Sequence, residues 1–149
     1  MRLYGTIGSR VDGDYFAHEL ASLDRDDFDQ IHIRMNSPGG NVFQGMSIVS
    51  AMLSVKTPVH AYIDGIAASM AAVISIAAKR VYMMDFAKLM VHDPHFVNIP
   101  EERLSDRQRE VLARMSDMLR RILSRRGYDE TDMAQLMQAE TWLSAEEAK

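Results

Sequence analysis

Residues 31–40, Ile31-His32-Ile33-Arg34-Met35-Asn36-Ser37-Pro38-Gly39-Gly40, are the stretch on which the fold turns. Ile31 to Met35 alternate apolar and polar side chains, the period of a strand with one buried face. Asn36 to Gly40 form a breaker cluster. A helical pattern follows over 42–55, through Val42, Met46, Val49 and Leu53, and Pro58 stops it. Strand, breaker and helix in this order are the opening part of a parallel crossover unit.

The same alternation extends in both directions. Residues 2–7 read as a short strand, and 13–23 as a helix with Phe16, Leu20 and Leu23 on one side. Residues 59–63 read as a strand, Gly65 as punctuation, and 67–79 as a small-residue helix whose apolarity all round predicts burial. Two further strands are predicted over 80–84 and 88–92. Strands alternating with helices at this spacing imply right-handed crossovers and a mainly parallel sheet, so the class is α/β. A loop over 94–100 precedes apolar residues at helical spacing (Leu104, Val111, Met115, Met118, Ile122) up to Gly127, which predict one amphipathic helix of about 23 residues, ~35 Å long. A shorter helix over 131–138 follows. Ser144-Ala145-Glu146-Glu147 then has the form of a capping box opening another helix, from which the chain is expected to continue past residue 149.

The 149 residues are 47% hydrophobic and 26% charged, enough for one domain over 1–149 with its own core. With no cysteine, disulfides, thiolate metal sites and cysteine nucleophiles are excluded, and the chemistry falls to hydroxyl, carboxylate and imidazole groups. No metal or cofactor site is expected. The start of the chain lacks an apolar signal core, and no apolar run nears the roughly 20 residues of a membrane helix, so a cytoplasmic protein is expected. The net charge of −4 gives no general nucleic-acid footprint. Residues 104–126 do hold seven arginines against two aspartates and one glutamate. Arginines are ordinary on the solvated face of an amphipathic helix, and the predicted helix length points to contact with another subunit rather than to nucleic acid.

Three places can carry chemistry. At Pro38-Gly39-Gly40 a strand runs into a helix, leaving backbone N–H groups unpaired where the glycines allow close approach. That arrangement suits an oxyanion hole, and equally an ordinary strand-to-helix turn. Ser69, in Gly65-Ile66-Ala67-Ala68-Ser69-Met70-Ala71, is predicted in the first turn of a helix. There its hydroxyl can attack a carbonyl while the Met70 N–H holds the resulting oxyanion, provided a base takes the proton. The plain reading is a small residue chosen for helix packing. His92 ends the apolar strand Leu89-Met90-Val91, at the carboxyl end where α/β sites gather, and an imidazole is a general base near neutral pH. Its plain reading is a surface or capping histidine. Asp93 is rejected as the orienting acid, because neighbours on a strand point to opposite faces. The 12 methionines at helical spacings are read as core.

Together, Met35-Asn36-Ser37-Pro38-Gly39-Gly40, Gly65-Ile66-Ala67-Ala68-Ser69-Met70-Ala71 and Leu89-Met90-Val91-His92-Asp93-Pro94 resemble, in order and spacing, the signature segments of the Clp-protease proteolytic subunits. The resemblance runs from about residue 3 to the end. It implies a crotonase-like spiral of βαβ units with a long handle helix, and a serine endopeptidase that works in a ring-shaped homo-oligomer on polypeptide substrates. By the same resemblance Ser69 is the nucleophile, His92 the base, and the N–H groups of Gly40 and Met70 the oxyanion hole. The family's aspartate position falls on Glu140, one methylene longer, with Asp129 and Asp132 as the other candidate carboxylates. ATPase-coupled members carry an N-terminal extension forming axial pore loops, whereas this chain begins at the first strand, which argues against an ATPase partner. The segment from Glu140 to Ala148 is similar to the head maturation proteases of phages and prophages, for which capsid or scaffold protein is the substrate and the bacterial host cytoplasm the setting. The alternatives are an inactive scaffold subunit, disabled by the change at Glu140, and a crotonase-type acyl-CoA enzyme that stabilises a thioester enolate.

Overall fold

The structure is a computed structural model and describes residues 1–26 and 28–149. Among these, the strands β1 (Arg2–Tyr4), β2 (Ile31–Ser37), β3 (Val59–Ala68), β4 (Arg80–Met83), β5 (Lys88–Val91) and β6 (Thr141–Leu143) form one sheet. Its order is β1-β2-β3-β5-β6, with β4 also paired to β3. All pairings are parallel except β5 with β6. The helices are α1 (Gly13–Leu23), α2 (Val42–Ser54), α3 (Met70–Ala77), α4 (Asp106–Leu123) and α5 (Glu130–Gln138). The α/β class holds, in the parallel arrangement expected of strand-helix alternation.

Side-chain alternation along β2 decides which face is covered. Ile31, Ile33, Met35 and Ser37 are buried, whereas His32, Arg34 and Asn36 are exposed. The buried set joins Phe16 and Leu20 of α1, Ile48, Val49 and Met52 of α2, and Ile74 of α3 in one core. Each such side chain contributes about 1.5–3 kcal/mol on leaving water. On the opposite face of the sheet, Tyr62 and Tyr82 stack with ring centroids 4.7 Å apart, and Tyr62 meets His32 at 5.0 Å.

Several boundaries differ from the sequence-based expectation; β1 ends at Tyr4 rather than near residue 7, and three larger differences follow. First, β3 runs through Gly65 to Ala68, so α3 begins at Met70 rather than near residue 67. The two halves of this strand have different neighbours: residues 60–63 pair with β4 and residues 66–68 with β5. At the changeover the Asn36 side chain accepts from the Ile66 amide at 3.2 Å, and a Cβ at Gly65 would lie 2.9 Å from that Asn36 oxygen. Periodicity misses this because Ala67 and Ala68 are small and apolar, equally at home in a buried strand or a buried helix.

Second, α4 has 18 residues, about 27 Å, instead of about 23. Ser105 halts it at one end: its hydroxyl accepts the Gln108 amide while the Gln108 side chain accepts the Ser105 amide at 2.9 Å. At the other end a 3₁₀ turn over Ser124–Arg126 leads to Gly127 at φ 99°. Only Leu119, Ile122 and Leu123 of this helix are buried. Third, the Ser144–Glu147 capping bonds form, but residues 145–148 make a turn and not a helix. Among the described residues no helix is long and apolar enough to cross a membrane.

Candidate active site

Ser69 sits where β3 passes into α3, with φ 54° and ψ −124°. A non-glycine residue rarely adopts this left-handed backbone, and such a conformation costs on the order of 1–3 kcal/mol. Its neighbours hold it there. The Ser69 amide donates to the Met90 carbonyl of β5 at 2.8 Å, and the Ser69 carbonyl accepts from Ala72 and Val73 at the start of α3. The hydroxyl makes no capping bond to the helix, so it is turned away from the backbone and into the site.

His92 follows directly on β5 and is half-buried. Its Nε2 lies 2.7 Å from Ser69 Oγ. Because β3 and β5 are parallel neighbours, the carboxyl ends of both strands deliver these side chains to one edge of the sheet. Burial pushes the His92 imidazole below its ordinary range, His95 pushes it the same way, and the charges of Glu140 and Asp93 oppose both. A neutral imidazole at pH 7 results, and a neutral ring is what can accept a hydroxyl proton.

The loop of Gly39 and Gly40 closes against Ser69 from β2. Gly39 has φ 93°, and a Cβ there would fall 2.6 Å from the Ala68 carbonyl oxygen and 2.9 Å from the Met70 amide nitrogen. Only glycine lets the backbone come this close. Buried Ser37 fastens the turn, accepting from the Gly39 amide at 3.1 Å and donating to the Gly5 carbonyl at 2.7 Å. Ile7 bridges to Gly40 by donating to the Gly39 carbonyl and accepting from the Asn41 amide, so the Gly40 N–H between them faces away from Ile7. Met70 is the first residue of α3, and its N–H has no acceptor within the helix. Gly40, Ser69 and His92 line one open cleft of about 620 Å³, together with apolar Phe43, Phe96 and Val97.

The carboxylates separate into distinct places. Glu140, with φ 49°, shares a cavity with His92, but among the described residues no hydrogen bond joins the two. Asp129 caps α5, accepting the Thr131 amide at 2.7 Å and the Asp132 amide at 3.3 Å, and Asp132 is exposed in the first turn of that helix. Neither lines the cavities that hold His92. Asp93 accepts a hydrogen bond from Ser116 of α4.

Two features of the site lie outside the sequence-based expectation. His95 meets His92 edge to face, with centroids 5.3 Å apart; the spacing His92-Asp93-Pro94-His95 was the available signal. Ser37 lies inside a stretch already singled out, but its double hydrogen bond has no signature in one dimension.

Comparisons with known proteins agree with this architecture. The chain is 31% identical over 123 residues to an ATP-dependent Clp protease proteolytic subunit of Leuconostoc citreum, covering 79% of this chain and 62% of that protein. It therefore spans less than two-thirds of the length of that curated relative. In fold it is similar to an asparagine-to-aspartate mutant of ClpP1 from Listeria monocytogenes, with a TM-score of 0.87, 24% identity, and coverage of 100% of this chain and 84% of that one. Residues 1–149 match the Clp protease family, and the chain belongs to that family.

Proposed function

We propose that this protein is a serine endopeptidase in which Ser69 attacks the peptide carbonyl and His92 is the general base. The observation that carries this reading is the 2.7 Å approach of His92 Nε2 to Ser69 Oγ, at a serine whose strained backbone turns the hydroxyl away from its own helix. The Oγ–H donates to Nε2, and Oγ adds to the carbonyl carbon. The oxyanion accepts from the Gly40 and Met70 N–H groups, and the proton held on Nε2 passes to the departing amine. Water then gives a proton to His92 as its oxygen adds to the acyl carbon. When the acyl C–Oγ bond breaks, the proton on Nε2 returns to Ser69 Oγ, releasing the acid and restoring the free serine and neutral imidazole. Glu140 is the carboxylate that favours the imidazolium formed in each half-reaction, as its charge already acts in that direction on His92.

Membership of the Clp protease family supports a polypeptide substrate and a ring of identical subunits, with residues 1–149 acting as one peptidase domain. The half-exposed apolar residues of the N-terminal part of α4, among them Leu112 and Met115, are suited to subunit contact. The further assignment to phage head maturation, with capsid or scaffold protein as substrate, rests on the segment from Glu140 to Ala148 alone.

A fluorophosphonate probe tests the reading. Adduct on Ser69 that disappears in the His92→Ala variant is the expected result, and a wild-type oligomer that takes up no probe overturns it. One observation favours a second reading: the missing hydrogen bond between Glu140 and His92 fits a subunit of feeble or no activity that serves as scaffold. Wild type and Ser69→Ala that assemble alike, with neither cleaving a denatured protein, would decide for it.

A further inference from the structure

Residues 92–96 form no backbone hydrogen bonds outside the β5–β6 ladder, among the described residues. The segment that carries His92 is therefore not held by a strand of its own. Upstream, Val91 is anchored by its pairing with Thr141. Downstream, Pro94 stiffens the chain but donates no hydrogen bond. Between them the Asp93 carboxylate accepts from the Ser116 hydroxyl, and both residues are partly buried.

Ser116 lies one turn before Leu119, the first buried residue of α4. The helix is fixed to the core below this point and largely exposed above it. Of the side-chain hydrogen bonds made by α4 among the described residues, only Ser116 to Asp93 reaches the 92–95 segment; Arg109 turns to the Glu101 carbonyl and Arg114 to Glu110 on the same helix. A tie to an ionised carboxylate is stronger than one between neutral groups, and it lies one residue from a ring that must stay in contact with Ser69.

We propose that Asp93 and Ser116 are positioning residues for His92, through which helix α4 sets the imidazole against Ser69. This rests on the reading of Ser69 and His92 as nucleophile and base. Asp93 touches neither substrate nor Ser69 in this role; it fixes the backbone that follows His92, while Glu140 approaches the ring from α5 and β6. Displacement of a reacting group by about 1 Å costs on the order of a hundredfold in rate, so loss of the tie is read in the chemical step.

The test is the rate of fluorophosphonate labelling of Ser69 in the intact protein, followed to saturation for wild type, Ser116→Ala, Ser116→Thr, Asp93→Ala and the Ser116→Ala/Asp93→Ala double variant. The limiting rate should fall roughly ten- to a hundredfold in each alanine variant, with half-saturation changed by less than about twofold. Ser116→Thr, which keeps the hydroxyl, should restore it, and the double variant should be no slower than the slower single one. Wild-type rates in both alanine variants, or losses that multiply in the double variant, overturn the inference. Should Ser116→Ala not fold, Asp93→Asn keeps an acceptor oxygen for Ser116 and Asp93→Ala does not, so equal rates in these two also overturn it. Wild type that takes no probe at Ser69 removes the proposed function and this inference with it; labelled wild type with unaffected variants removes the inference alone.

Discussion

The Ser69 amide donates to the Met90 carbonyl at 2.8 Å, and that bond lashes the end of β3 to β5 two residues before His92. The strained backbone at Ser69 and the short Oγ to Nε2 distance are two results of this one connection. A left-handed serine would relax in a free peptide. Here its amide, its carbonyl and the helix behind it are all engaged, so the strain persists.

Relief of that strain gives the first prediction. Ser69→Gly should abolish probe uptake while raising unfolding stability by about 1 kcal/mol, the strain removed less the added chain entropy of glycine. Urea denaturation of Ser69→Gly against Ser69→Ala checks it, since alanine removes the hydroxyl and keeps the strain. Equal midpoints for the two would show that the backbone at residue 69 stores nothing.

Gly39→Ala tests the loop that faces Ser69. Its Cβ would strike the Ala68 carbonyl and crowd the Met70 amide, and φ 93° strains any side chain there. The loop must retreat from the nucleophile, and kcat should drop by about a hundredfold or more, the scale of losing one oxyanion donor. Steady-state cleavage of an unfolded polypeptide reads this; an unchanged kcat would mean that the glycine loop takes no part in the reaction.

His95→Ala should move the acid limb of the kcat/KM profile. His92 titrates below its ordinary value of about 6.5, first through burial and second through His95. Removing the second cause lets the imidazole hold its proton to higher pH, so the limb shifts upward and less free base is present near pH 6. A downward shift, or none, on a pH series of labelling rates would exclude His95 as an influence on the base.

Glu140→Gln should act in the opposite sense. The Glu140 charge raises the His92 value, so its neutralisation lowers it, and the acid limb moves to lower pH. Because no hydrogen bond joins the two residues, the fall in kcat should be about tenfold, well short of the ~10⁴-fold seen when a directly bonded triad acid is lost. Paired pH profiles of wild type and Glu140→Gln check both the direction and the size.

A good part of this protein was legible in one dimension. The alternation in Ile31 to Met35 placed β2 because a half-buried strand must present apolar residues every second position. The helix over 13–23 was equally plain, since Phe16 and Leu20 recur at helical spacing and share its buried side. Where periodicity carried no information, at Ala67 and Ala68, the boundary between strand and helix was misplaced, and Ser69 with it. The extent of α4 was overrun because an amphipathic stripe continues through residues that the Ser105 cap and the Gly127 turn exclude from the helix.

The sequence by itself determined the α/β class, the order of most elements and the three segments that meet at the site, because hydrophobic period, breakers and spacing are local properties of the chain. Tertiary structure alone decided how those segments meet: the change of β3's partner from β4 to β5, the backbone strain at Ser69, the seating of Gly39 against Met70, the place of Glu140 beside His92 without a hydrogen bond, and the tie from Asp93 to Ser116. Each of these joins residues far apart in the chain, and such contacts arise only when separate elements pack on a common sheet, which no local pattern encodes.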